Sequence, residues 1–338
     1  MSPRVLIFGG GSIGAVLTYL LSKSVPASNI VVVCRSNYDI VAKDGFTINS
    51  TVYGMNENVQ PIAVRSVTEA VQAYPDGFDY ICVATKVIDR GNVSQPELIK
   101  PAVSTKTTIV LMQNGINIEE PYKALFPDTA IASVVIYMPC TQTAPGVVSH
   151  SVYTKFLLGT YPAKSRPEHK NSAARFVEIL KGAGASATHE DDIQLARWTK
   201  LLVNGSQNPI CALSRLRDVQ FLGAAPGAES FYRNVMREIA SIARVEGYSE
   251  VDDSVVERQL QLSTRRGPPG VEPSMMADAL AGQHLEVECI VGNALRIAQS
   301  HGIDVPRLET IYYLAKGLDM SFAIPKALLG DAKILVVR

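Results

Sequence analysis

The first half of the chain alternates short, wholly apolar runs with longer amphipathic stretches. The runs are residues 4–8 (RVLIF), 30–34 (IVVVC), 79–84 (DYICVA), 108–112 (TIVLM) and 131–136 (IASVVI). Runs this short and continuous, rich in β-branched residues, predict strands buried on both faces of a parallel sheet. Between the first two, residues 13–24 put Ile13, Leu17, Leu20 and Leu21 on one side of a helix. The alternation predicts an α/β fold whose N-terminal part is a Rossmann-type dinucleotide-binding domain.

The pattern then changes. Residues 146–160 (GVVSHSVYTKFLLGT) read as a hairpin, and 161–171 (YPAKSRPEHKN) as a polar, proline-containing loop. A helix is expected at about 172–183 and a short strand at 185–188. From 191 onward the periodicity is helical, over 191–208, 228–246, 275–301 and 306–317. Arg265-Arg266-Gly267-Pro268-Pro269-Gly270 reads as a loop between them. The expected division is a domain over 1–190 followed by an all-α domain over 191–338.

Composition then removes function classes. Thirty-two basic residues balance 32 acidic ones. A neutral chain without a long basic run is a poor nucleic-acid binder at physiological salt, and a poor ligand for an anionic membrane. No stretch approaches the roughly 18 apolar residues of a membrane span. The first apolar run, Val5-Leu6-Ile7-Phe8, is too short for a signal peptide, and Leu335-Val336-Val337-Arg338 carries no lipidation or peroxisomal signal. A cytoplasmic location is expected. The cysteines at 34, 82, 140, 211 and 289 contain no C-x-x-C pair and read as free thiols of a reducing compartment. No His or Cys spacing suits a metal, so none is expected.

Chemistry enters at Gly9-Gly10-Gly11-Ser12-Ile13-Gly14, between the first strand and the first helix. Gly9 permits the tight turn, Gly11 lets the backbone approach a diphosphate, and Gly14 lets helix and sheet pack closely. The free N–H groups of Ser12 and Ile13 and the helix dipole then face the anion. A glycine-rich turn with no ligand is the alternative. After the second strand, where NAD-selective sites usually carry a carboxylate, this chain has Arg35. A guanidinium there favours the 2′-phosphate of NADP, unless it is a solvated surface residue.

Two more strand ends carry polar residues, Thr85-Lys86 and Gln113-Asn114-Gly115. Lys86 reads as a nucleotide contact or a surface lysine. Asn114 reads as a contact to the nicotinamide or substrate, or as a plain Asn-Gly turn. Further on, Lys200, Asn204 and Asn208 are four apart and share one helical face among Leu201, Leu202 and Val203. A polar stripe there is costly unless it is paired or faces a cleft. Lost solvation lowers a lysine's pKa toward the operating pH, which suits a general acid. A solvated face ending at Asn208-Pro209 is the alternative. A last polar group contains Ser274, Asp278, Glu286 and Glu288. Ser274 reads as a helix N-cap or a substrate contact, and Glu286 as a solvated helical carboxylate or a site residue.

In this order and spacing these segments, with Trp198-Thr199-Lys200, Pro273-Ser274-Met275 and Gly302-Ile303-Asp304-Val305-Pro306, resemble the ketopantoate reductases, also called 2-dehydropantoate 2-reductases, over nearly the whole length. The resemblance implies NADPH-dependent reduction of a 2-oxo acid to a 2-hydroxy acid in a cleft between a Rossmann domain and a helical domain. It implies Lys200 as general acid and Glu286 as the carboxylate orienting substrate and cofactor. It implies substrate contacts from Asn114, Asn204, Asn208 and Ser274, NADP contacts from Arg35, Lys86 and the glycine turn, and a possible homodimer through the C-terminal helices. One position departs: Val271 stands where family members often carry a substrate-contacting asparagine. A more apolar pocket suits a branched 2-oxo acid such as 2-oxoisovalerate. An NADP-binding sensor without catalysis is the reading from a different class, and a retained Lys200 and Glu286 argue against it.

Overall fold

The computed structural model describes residues 2–88 and 93–324, so the C-terminal run Leu335–Arg338 lies outside the described residues. Its strands are β1 Val5–Phe8, β2 Ile30–Val33, β3 Phe46–Ser50, β4 Gly54–Val59, β5 Ile62–Val64 and β6 Tyr80–Val83. They continue with β7 Thr108–Leu111, β8 Ala130–Tyr137, β9 Cys140–Ala144, β10 Val147–His150, β11 Lys155–Thr160 and β12 Ser186–His189. Eight of these form one sheet in the order β12-β11-β8-β7-β6-β1-β2-β5. The six strands from β8 to β5 are mutually parallel, in the order of a doubly wound dinucleotide-binding sheet. β11 joins β8 antiparallel and carries β12 parallel to it.

β1, β2, β6 and β7 are buried almost throughout, because helices cover both faces of the sheet. The helix Ser12–Leu21 packs so closely after the glycine turn that a Cβ on Gly14 would lie 1.9 Å from the Gly9 carbonyl oxygen. Gly9 itself has φ +118°, a region that favours glycine.

The hairpin expected over 146–160 does not form. β10 pairs with β3 and β9 in a separate four-stranded sheet, β4-β3-β10-β9, while β11 pairs with β8 and β12. Two tandem strands satisfy the local pattern, but β10 adds to the distant β3 and the adjacent β9, while β11 lies between β8 and β12. Val148 is buried in one sheet and Phe156 in the other. His150 adds a buried side-chain hydrogen bond at 2.8 Å to Ser50.

Two helix boundaries also differ. The stretch expected as a loop over 161–171 becomes helical at Pro167, because proline suits a first helical position. The helix expected to stop at Asn208 runs from Ile193 to Ser214 through Pro209. An interior proline costs about 3 kcal/mol. Burial of Ile210, Cys211 and Ala212 beyond it supplies an offset of similar size. The span 275–301 is divided: the helix Ser274–Leu280 ends in a turn at Gly282 (φ +64°), and a π-helical segment, Glu288–Gly292, runs into the helix Asn293–Ser300. The other long helices of this part are Ala228–Val245, Asp253–Thr264 and Pro306–Ser321. No helix among the described residues is long and apolar enough to cross a membrane.

The chain divides into two compact units. Residues up to 114 with 118–196 form the first, and residues 115–117 with those from 197 onward form the second. The division thus falls inside the helix Ile193–Ser214, and the three residues after Asn114 belong with the helical unit.

The contact at Gly14 makes a sharp prediction. Gly14→Ala should lower stability by about 2 kcal/mol, within the range for forced overpacking, read as a drop in the urea midpoint at unchanged slope. An unchanged midpoint contradicts the close approach.

Candidate active site

In the first unit the expected residues gather past the carboxyl ends of neighbouring strands. β1 and β6 are neighbours at the point where the strand order reverses. Ligands of open α/β sheets sit beyond the carboxyl ends of strands at such a point. Gly9 follows β1, Arg35 closely follows β2, Thr85-Lys86 closely follow β6, and Gln113-Asn114 closely follow β7.

The geometry of the glycine turn fits an anion. A Cβ on Gly9 would meet Thr85 Cγ2 at 2.8 Å, and one on Gly10 would meet Cys34 Sγ at 2.5 Å, so neither tolerates a side chain. At Gly11 a Cβ would meet nothing within 4 Å. The glycine that packing does not demand is thus the one a diphosphate would need bare. No side chain caps the helix that starts at Ser12, so its first N–H groups are not taken by a capping side chain. The Ser12 hydroxyl accepts from the Gln142 N–H at 2.9 Å, which ties the turn to β9. The buried Thr85 hydroxyl oxygen has no hydrogen-bond partner among the described residues. These features suit a dinucleotide diphosphate.

Arg35 is exposed, as a residue meeting a 2′-phosphate must be. A second guanidinium stands after the adjacent strand: Arg65 lies 3.9 Å above the Tyr38 ring and pairs with Asp39 at 2.6 Å. Lys86 is exposed, and its carbonyl accepts from Gln95 Nε2 at 2.5 Å. Gln113 Nε2 donates to the Thr85 carbonyl at 2.7 Å and to Gln95 Oε1 at 2.6 Å. Sequence reasoning missed Gln95, because its only signal is a polar residue on a short helix nine positions past Lys86. Asn114 is half-buried at the end of this strand segment.

The second unit carries the other expected residues. On the helix Ile193–Ser214, Lys200 and Asn204 are half-buried and Asn208 is buried, while Trp198, Leu201 and Leu202 are in the core. Glu286 is buried (7% exposed) and precedes the helical turn leading into the π segment, so it is not a solvated helical residue. π turns recur at functional sites. Ser274 is exposed and is the first residue of its helix. The N-cap is Pro273, and no side chain caps this end, so the N-cap role expected of Ser274 is not what the structure has.

Sequence reasoning also missed Arg197. It is buried (3% exposed) and donates from Nη1 to the Gly115 carbonyl at 2.9 Å. Gly115 needs to be glycine: φ is +98°, and a Cβ would lie 2.3 Å from the Cys289 carbonyl oxygen. Residues 115–117 are held further by Ile116 N donating to Cys289 O at 3.0 Å and Asn293 Nδ2 donating to Ile116 O at 2.7 Å.

Lys200, Arg197 and Glu286 interact as charges. Loss of solvation first, and the Arg197 cation after it, bring the Lys200 pKa down to about 7 against the opposing pull of Glu286. An amine with a pKa near neutrality can both hold and release a proton at physiological pH.

Family models describing ketopantoate reductase PanE/ApbA match residues 5–163, and models of its C-terminal part match residues 192–319. The chain belongs to the ketopantoate reductase family. It is 30% identical to an uncharacterized protein of Saccharomyces cerevisiae (92% of each chain). It is 26% identical to a 2-dehydropantoate 2-reductase of a Nostoc species (94% of this chain, 95% of that one). The crystal structure of 2-dehydropantoate 2-reductase from Methylococcus capsulatus matches with a TM-score of 0.82 at 32% identity, over 96% of this chain and 99% of that one. Membership makes the chain an NADP-dependent oxidoreductase acting on a CH–OH group, of a family that reduces 2-oxo acids with NADPH.

The open space at Gly11 can be probed directly. Gly11→Val should leave the melting temperature within a degree or two and weaken NADPH binding at least tenfold by fluorescence titration. Equal affinity in that variant contradicts a diphosphate over Gly11.

Proposed function

We propose that this protein reduces 2-dehydropantoate to pantoate with NADPH, with Lys200 as the general acid. The observation that carries the reading is a lysine on an apolar helix whose pKa falls to about 7 beside a buried carboxylate, Glu286. In this reading the first unit binds NADP and the second holds the substrate and the proton donor. The glycine turn and the N–H groups of Ser12 and Ile13 hold the diphosphate. Arg35 meets the 2′-phosphate, and Lys86 and Asn114 contact the nucleotide.

NADPH, when bound, supplies the hydride that reduces C2 of the keto acid. The residues do the rest. Asn114, Asn204, Asn208 and Ser274 hold the substrate's carboxylate and hydroxyl groups. The Lys200 ammonium donates a hydrogen bond to the keto oxygen, then transfers its proton as negative charge develops there. Glu286 accepts from the substrate hydroxyl and orients it against the cofactor. Lys200 leaves this step neutral and regains a proton from solvent.

A second reading rests on Val271. Its N–H donates to Asp218 Oδ1 at 2.6 Å and its carbonyl accepts from the Asp218 N–H at 3.2 Å, yet the residue is 44% exposed. The backbone is locked and an apolar side chain is presented. That arrangement favours a branched 2-oxo acid such as 2-oxoisovalerate over a hydroxylated one. The homodimer implied by the resemblance belongs to the same proposal. The apolar groove of about 620 Å³ lined by Phe221, Phe231, Ile311 and Leu314 in the helical unit supports it.

Three outcomes test the reading. Lys200→Ala should lower kcat by roughly two orders of magnitude, the scale of a lost general acid, with NADPH binding retained; near-wild-type turnover would refute the role. The acid must be protonated to act, so reductive kcat/KM should fall as pH rises through about 7, where Lys200 loses its proton. An NADPH-oxidation panel comparing ketopantoate with 2-oxoisovalerate, repeated with NADH, decides the substrate. A preference for NADH removes the part given to Arg35.

A further inference from the structure

The buried cation Arg197 has no part in the reading above, in which Lys200 handles the proton and Glu286 is the one carboxylate beside it. Its guanidinium is held in place by the hydrogen bond to the Gly115 carbonyl, and only 3% of the residue is exposed. It lies three positions before Lys200 on one helix, the spacing that makes side chains neighbours. Burying a second cation beside a lysine is costly in free energy, and packing alone gives no reason for it.

We propose that Arg197 is a positioning residue for the proton donor: a fixed positive charge that balances Glu286, so that Lys200 hands over its proton instead of staying locked in an ion pair. The inference rests on the reading of Lys200 as general acid. A buried Lys–Glu pair by itself is two charges that stabilise each other and hold the proton on the amine. A third, permanent charge changes the balance. Arg197, Lys200 and Glu286 together carry a net +1, which suits the carboxylate of a 2-oxo acid and the oxyanion that forms as it is reduced.

The other titratable groups nearby do not take over this part. Cys289, which interacts with both Glu286 and Arg197, has its thiol pushed well up by burial and stays neutral. Glu288 is engaged by Arg296 at 2.8 Å and Lys316 at 2.9 Å. Charges acting on Lys200 itself are Arg197, which disfavours its proton, and Glu286, which favours it. Arginine suits the task because its guanidinium does not titrate in the working range and so holds a constant field.

The test is the pH dependence of kcat/KM at saturating NADPH for wild type, Arg197→Gln, Arg197→Met and Arg197→Lys, with melting curves to verify folding. Arg197→Met is included because it keeps the length of the side chain while removing its charge and its donors. In the two neutral variants the alkaline limb should move up by about one pH unit or more, the scale of one removed like charge. In Arg197→Lys it should stay within a few tenths of a unit of wild type. A neutral variant that folds and keeps the wild-type limb, however far its kcat has dropped, overturns the proposal. So does failure of both neutral variants to fold, which assigns Arg197 to structure alone. Failure of the underlying reading looks different: there Lys200→Ala retains turnover and no limb responds to any residue at 197.

Discussion

A lysine amine kept partly out of water, so that it can both hold and release a proton near neutral pH, is the constraint on which the rest of this molecule depends. Lys200 loses solvation by burial on a helix whose residues Trp198, Leu201 and Leu202 are in the core of the helical unit. The desolvation is the largest influence on its proton affinity, ahead of either charged neighbour. Glu286 prevents the cost from emptying the site of charge altogether, and Arg197 keeps the pair from becoming a closed ion pair. The helix that carries Lys200 therefore has to be long, apolar on its other faces and continuous. It passes through Pro209 because the buried residues beyond it outweigh one missing hydrogen bond.

The dinucleotide side rests on close approach. Gly9, Gly10 and Gly14 are small because Thr85, Cys34 and the Gly9 carbonyl leave no room for a Cβ. Gly11 is small for a different reason, since the space around it is open. Packing explains three of the four glycines in the turn; at the fourth, the N-cap of the first helix, it leaves open space. The hydrogen bonds from Gln113 and Gln95 then hold the Thr85-Lys86 backbone at the neighbouring strand end.

Residues 115–117 show how a short segment can belong to a unit that its neighbours do not. They follow the end of β7, yet all three of their described anchors, from Arg197, Asn293 and the Cys289 carbonyl, lie in the helical unit. Gly115 allows the backbone to lie against Cys289 where any side chain would collide. The Asn-Gly pair that reads as a plain turn is thus the first point where the chain passes from one unit to the other, before the later one inside the helix Ile193–Ser214.

The sequence by itself determined the parallel sheet, the glycine turn, Arg35 at the second strand end and the Lys200–Asn204–Asn208 stripe. Each depends on periodicity, or on residue type at a short fixed spacing, and such patterns survive in one dimension. Only the tertiary structure decided that β10 and β11 part into different sheets, that Glu286 is buried ahead of a π turn, and that Arg197 stands beside Lys200 with its guanidinium tied to Gly115. Those outcomes depend on which surfaces are buried together across more than eighty residues of chain. An arginine one turn from a lysine reads as a solvated pair until the core closes over it. Burial is a property of the whole fold, and it is burial that turns these ordinary charges into chemistry.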